Sequence, residues 1–230
     1  MNLLVWIFFV FILFVSLPVF FVIHRGRAAA KLAHSLVRTS LTPFAPQYTE
    51  IYKRTFAMCE LNGIPVYFHW AVLPRKMGNS FQARLFCHVK IANSAGVKIW
   101  VSTPGKNSNA PQSALRHVSG WLPTDDGFFV AKIAGLSAHE QLPVWSKIPA
   151  EVRRQIYDHA DRFGSIAIRS GWADFYVGRA HASKLWREES CWDDCLDLQS
   201  AIDLNEMTDA ALVNQFIHQS AALAKSIIFK

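Results

Sequence analysis

Leu3 to Ile23 is a run of 21 residues without a charged side chain, interrupted only by Ser16 and Pro18. As a helix it is about 31 Å long, the thickness of a bilayer's hydrocarbon core. It therefore predicts a transmembrane helix, in which Pro18 is tolerated as a kink. A cleaved secretory signal needs a basic leading region, a shorter apolar stretch and small residues at the cut. Here only Met1 and Asn2 precede the run, and Ala28–Ala30 lie beyond Arg25 and Arg27, so an uncleaved anchor over residues 1–23 is expected. The mean hydropathy of +0.15 is carried by this segment. Without it the chain averages about −0.14, an ordinary value for a soluble domain.

The flanks predict the orientation. Arg25, Arg27, Lys31 and Arg38 all follow the run, and no charged side chain precedes it. Positive residues stay on the cytoplasmic side, so the expectation is a single-pass inner-membrane protein with its C-terminal domain in the cytoplasm. Four scattered cysteines (Cys59, Cys87, Cys191, Cys195) do not read as a secreted disulfide framework. Four units of the formal +7 lie in residues 25–38. Arg27, Lys31, His34 and Arg38 share one helical face, with Ala28, Leu32, Leu36 and Val37 helping to form another. Residues 24–46 are thus expected to be a basic juxtamembrane helix or linker, with Arg25, Arg27, Lys31 and Arg38 meeting anionic lipid head groups. Nucleic-acid binding is not expected, because the positive charge is spent beside the bilayer and no recognition motif accompanies it.

Residues 47–230 read as one α+β domain of about six antiparallel strands and about three helices. Hydrophobic residues make up 51% of the chain and charged ones 18%, which argues against disorder. Residues 47–60 lead into a strand over Ile64–Leu73. Phe81–Ile91 alternates, with Ala83, Leu85, Cys87, Val89 and Ile91 on one face, and is expected to form a hairpin with Val97–Ser102. A polar loop covers residues 104–112, Asp125-Asp126-Gly127 marks a turn, and Phe128–Ala134 a further strand. Pro149 opens a helix to Phe163 whose inner face is Val152, Ile156, Ala160 and Phe163, with Gly164 as C-cap. A second hairpin is expected over residues 165–177, followed by helices at about 184–205 and 208–228. Strands first and helices later suggest α+β rather than a parallel sheet.

Signals of chemistry are sparse. Cys191 and Cys195 are spaced C-x3-C rather than C-x2-C, and with Leu198 and Ile202 they form one apolar helical stripe, so they read as core residues. Glu188, Glu189, Asp193, Asp194, Asp197, Asp203 and Glu206 place seven of 17 carboxylates in one short stretch. A solvated face is the plain reading. The sharper one makes Glu188, Glu189, Asp193, Asp194 and Asp197 a docking surface for a basic protein partner, or for Arg153, Arg154 and Arg162 of the earlier helix. His139-Glu140 lacks the second histidine of a zinc motif because Pro143 stands there. No Walker, nucleophile-elbow or dinucleotide fingerprint occurs. No cofactor and no metal is expected. Trp100 and Trp172 offer an aromatic binding face if no helix covers them.

Asn62-Gly63-Ile64-Pro65-Val66, Ser119-Gly120, Asp126-Gly127-Phe128-Phe129-Val130 and Glu151-Val152-Arg153-Arg154 follow the N-terminal span in that order. This order resembles a broad set of bacterial single-pass membrane-anchored proteins, over most of residues 60–205. No activity is assigned to that set, so the resemblance implies an anchored module and carries over no catalytic residues. The expected function is a membrane-anchored cytoplasmic binding module without catalysis. The alternatives are a membrane-tethered, hydrolase-like enzyme whose site is assembled from distant residues, and a structural subunit of a membrane complex.

Overall fold

A computed structural model describes residues 3–51, 54–74, 81–93, 96–103, 121–131, 136–170, 196–204 and 210–229. Helix α1 (Leu3–Leu41) runs unbroken through Pro18 and past the basic residues, and a 3-10 turn at Thr42–Phe44 ends it. The expected anchor and the expected juxtamembrane stretch therefore lie on one rod, about 58 Å long. Ala33, Val37 and Leu41, spaced four apart, are its buried stripe. They dock on the strands Ile64–Pro74 and Phe81–Asn93 and on the helix Ala210–Ser226. The His34 ring lies 5.3 Å from that of Trp70, and Phe44 lies 5.4 Å from His218. The apolar face expected through Leu32 is rotated: Leu32 is solvent-exposed and Ala33 is buried.

The domain is α+β. Its strands are β1 (Gln47–Ile51), β2 (Arg54–Leu61), β3 (Ile64–Pro74), β4 (Phe81–Asn93), β5 (Trp100–Thr103), β6 (Trp121–Pro123), β7 (Phe129–Ala131), β8 (Ile166–Ser170), β9 (Leu196–Asp203) and β10 (Ile228–Phe229). Its helices are α2 (Ala138–Ser146), α3 (Ala150–Phe163) and α4 (Ala210–Ser226). Among the described residues nine strands form one antiparallel sheet in the order β1-β2-β3-β4-β9-β8-β5-β7-β6, while β10 pairs in parallel with the end of β4.

Four expectations are corrected. Residues 47–51 and 54–60 are strands, not a lead-in: Asn62 (φ 53°) and Gly63 (φ 80°) form a two-residue hairpin turn that pairs β2 with β3. The hairpin of residues 81–102 does not form; β4 lies between β3 and β9, and β5 between β8 and β7. Residues 196–203 are the strand β9 rather than helix. Leu198 and Ile202 are four apart, a spacing common to one helical face and one strand face, but Leu196, Leu198, Ser200 and Ile202 alternate with Asp197, Gln199, Ala201 and Asp203, which only a strand separates. Finally, α2 was not expected. Its start is a Ser137–Glu140 capping box, each side chain satisfying the other residue's backbone N–H.

Other readings stand as drawn. Ala83, Leu85, Cys87, Val89 and Ile91 form the buried face of β4. Helix α3 begins after Pro149 and buries Ile156, Ala160 and Phe163. Gly164 caps it at φ 136° because a Cβ there would lie 2.5 Å from the Ala201 carbonyl oxygen. The turn at Asp126 ties the layers together. Its carboxylate accepts from Thr124 and from Trp145 Nε1 (3.3 Å) and meets Arg153 Nε at 2.8 Å. The loop at 104–112 and the second half of the 165–177 hairpin lie outside the described residues.

Candidate functional site

The sheet has two faces, and the polar one gathers the chemistry. Register places Tyr67, His88 and Gln199 in one row across β3, β4 and β9, with His69 opposite Phe86 in the next. Lys90 and Arg169 flank Asp197 on the neighbouring strands. His88 and Asp197 are therefore diagonal neighbours, a position from which long side chains touch. His88 Nδ1–H donates to Asp197 Oδ2 at 3.1 Å. The second nitrogen of His88, Nε2, lies 3.0 Å from Nδ1 of His69. With both rings neutral, the Asp197 bond fixes the proton on His88 Nδ1, so Nε2 accepts from His69. Protonation of His88 reverses the direction of that second bond.

This chain is buried: His69 is 6% exposed, His88 0% and Asp197 1%. The His69 ring stacks on Phe86 at 4.5 Å and 4° and is tilted against Phe56. An ionised carboxylate in such a place needs partners, and two imidazoles in series supply a path along which charge can shift. Chemically the arrangement can hold, orient and pass a proton. Sequence reasoning missed it because the three residues lie on three strands, and His69 and His88 carried no spacing signal. The signal present was the alternation of β4, which sets His88 on the face opposite Cys87 and Val89.

A second buried chain occupies the helical side. Ser220 Oγ–H donates to the Phe216 carbonyl at 2.8 Å. Having a single proton, it must accept from Ser200 (2.7 Å) and from His159 Nε2 (3.1 Å). Burial lowers the His159 pKa to about 4, so the ring is neutral at pH 7, with its proton on Nε2. Cys87 lies beside the two serines; burial raises its thiol strongly and outweighs their hydrogen bonds. Burial also pushes Cys59 up to about 11. Both cysteines are free thiols, poor nucleophiles at neutral pH.

The residues singled out from the sequence are placed unevenly. Arg25, Arg27 and Lys31 are exposed on α1. Arg38 is also exposed, but its guanidinium sits 4.7 Å over the Tyr48 ring, on the domain. Asp197 is corrected from an exposed docking residue to the inner end of the histidine chain. Glu188, Glu189, Asp193 and Asp194 lie outside the described residues, as do Cys191, Cys195 and Trp172. Arg153 pairs with Asp126 and Arg154 with Glu151. Trp100 is half-buried, and its backbone N–H donates to Gln141 Oε1 at 2.8 Å. Among the described residues no group of histidine, cysteine and carboxylate side chains is arranged to hold a metal ion. No family model, curated protein or solved structure matches the chain.

Proposed function

We propose that the chain is a single-pass inner-membrane protein in which α1 anchors a cytoplasmic α+β domain that binds a protein partner at the bilayer surface. Among the described residues no helix is long and apolar enough to cross a membrane. More than half of the side chains of Leu3–Ile23 lie outside that set, and the reading rests on the sequence of the whole run together with the side chains that are described. The supporting observation is their exposure. Phe11, Phe14 and Phe20 are 66%, 77% and 65% exposed, and the five consecutive residues Val19 to Ile23 are all exposed. Five residues sweep more than a full turn, so the apolar surface is not one stripe for one partner helix. Surface of that kind is covered all round by hydrocarbon.

Distance along the rod sorts the basic residues. Arg25 and Arg27 lie about 3 and 6 Å beyond Ile23, Lys31 about 12 Å and Arg38 about 22 Å. With a Debye length of about 8 Å, the first two and the long Lys31 side chain are in reach of anionic head groups, and Arg38 is not. Alkaline extraction and flotation of the full chain test the anchor; a chain released as soluble protein refutes it. Reporters active in only one compartment, fused after Lys230, test the orientation. Activity of the periplasmic reporter alone would overturn it.

The histidine chain favours a second reading, a membrane-tethered enzyme of hydrolase type. Here Asp197 holds His88, and His88 exchanges a proton with His69. The test is a panel of carboxylic and phosphoric ester substrates offered to the full chain. Turnover abolished by His88→Gln in a folded variant supports this reading; turnover indifferent to His88 refutes it.

A further inference from the structure

The covered side of α1 reaches almost to its apolar run. Ala33, Val37 and Leu41 are buried, and the same line along the helix continues through Ala29 and Gly26. Both are half-buried, between the exposed Arg25, Arg27, Ala28 and Ala30. Gly26 lies about 5 Å along the axis from Ile23, the last residue of the run. No stalk therefore separates the domain from that run.

The register of the sheet shows which end of the domain meets this level. Arg38 lies over Tyr48, whose neighbours across β2 and β3 are Ala57 and Phe68. His34, one turn earlier on α1, lies against Trp70. Moving toward the start of α1 is thus moving toward Pro74 on β3. The strand from Trp70 to Pro74 covers about 13 Å, and the helix from His34 to Arg25 about 13.5 Å. The backbone at Pro74, paired with Phe81, therefore stands level with Arg25. Helix α4 starts at the same end. Ser220 meets Ser200, the partner of Cys87 on β4, and Ile228 pairs with Ala92. The exposed Ala210, about 15 Å before Ser220, thus lies near the level of Ala83.

We infer that this end of the domain, the Pro74–Phe81 end of the β3–β4 pair with the first turn of α4 at its rim, is a lipid-contact surface seated in the phospholipid head-group layer. The inference rests on α1 being the membrane anchor. The layer extends about 5 to 7 Å beyond the hydrocarbon, and Arg25 lies about 3 Å beyond Ile23. Pro74 and Phe81, level with Arg25, fall within it. Charge suits the seat: α1 carries no carboxylate, and Arg25, Arg27 and Lys31 are exposed on it, which favours anionic phospholipid. The turn at Asn62-Gly63 is then held about 33 Å away from the lipid, at the other end of β3.

The test is amide relaxation by NMR of the full chain in nanodiscs of phosphatidylethanolamine with phosphatidylglycerol. The discs are doped in turn with a nitroxide at the end of the acyl chain and with gadolinium chelated at the head group. The nitroxide is expected to relax the amide of Phe14. The gadolinium is expected to relax the amides of Leu73 and Phe81 at least about tenfold more than those of Asn62 and Gly63, given the length of β3. If Phe14 responds to the nitroxide while Leu73 and Phe81 respond to gadolinium no more than Asn62 and Gly63, the seat is overturned and the anchor stands. If Phe14 does not respond, the anchor fails and the seat with it.

Discussion

Lowering the pH should unfold this protein partly through a single ring. His159 is held neutral by burial, with Arg162 nearby adding repulsion, and its pKa falls from 6.5 to about 4. In the unfolded chain the ring takes up a proton below pH 6.5; in the native state it resists until about pH 4. Over that window the unfolded state binds more protons, so stability falls as pH falls. The full loss is about 3 kcal/mol, of which about 2.5 kcal/mol is reached by pH 4.5. That is a large share of a typical domain's stability of about 5–15 kcal/mol. The assay is urea denaturation of the full chain in micelles, followed by tryptophan fluorescence at pH 7.5 and at pH 4.5. Other titrating groups contribute in both proteins, so the informative quantity is the comparison with His159→Phe. That variant loses the Ser220 hydrogen bond and starts about 1 kcal/mol less stable at pH 7.5. It should then lose about 2.5 kcal/mol less than the parent on acidification. Parallel pH profiles, within about 0.5 kcal/mol, would refute the argument that burial sets this ring's protonation.

Other outcomes follow from the same contacts. Gly164→Ala drives a Cβ to 2.5 Å from the Ala201 carbonyl oxygen at a backbone φ of 136°, and should cost about 2–4 kcal/mol in the same denaturation assay. Gln141 is fully buried, accepts from Trp100 N–H and donates to the Ala131 carbonyl at 2.7 Å; Gln141→Ala strands both groups and should cost about 2–3 kcal/mol. Asp197→Ala leaves a buried imidazole without its carboxylate and should lower stability by about 3 kcal/mol or more, with loss of the downfield His88 Nδ1 proton in the NMR spectrum. Cys59 and Cys87 should react with a thiol reagent at pH 8 only at the rate of global opening, and a fast native phase from either would contradict their burial.

What the sequence makes legible depends on whether one periodicity excludes the other. Phe81–Ile91 alternates over more than ten residues, and helix α3 is bounded by Pro149 and Gly164 with an apolar stripe between; no competing pattern fits either. At residues 196–203 the apolar positions Leu198 and Ile202 satisfy both periods, and the acidic residues before them tip the reading toward an exposed helix. The buried Asp197 is explained only by histidines more than a hundred residues earlier, which local sequence does not report. Asn62-Gly63 did carry its hairpin signal locally, and so did the Ser137–Glu140 capping box. Pairing between distant strands, such as β4 with β9 and β5 with β8, leaves no local mark and sets the whole candidate site. His159 stands outside the inner face read for α3, and its tautomer follows from the single proton of Ser220, a fact about tertiary contact.

The continuity of α1 has a mechanical consequence. Its last turns are clamped in the core by Val37 and Leu41, while Phe11, Phe14 and Val19 to Ile23 are exposed on its earlier turns. A rod about 58 Å long, gripped at one end, behaves as a lever: a 10° change in its tilt displaces the far end by about 10 Å. If α1 spans a bilayer as proposed, thickening or thinning of that bilayer would exert a torque on β3, β4 and α4, the elements that hold the rod. On that reading the domain would register membrane thickness as a change of attitude, less whatever bending Pro18 absorbs.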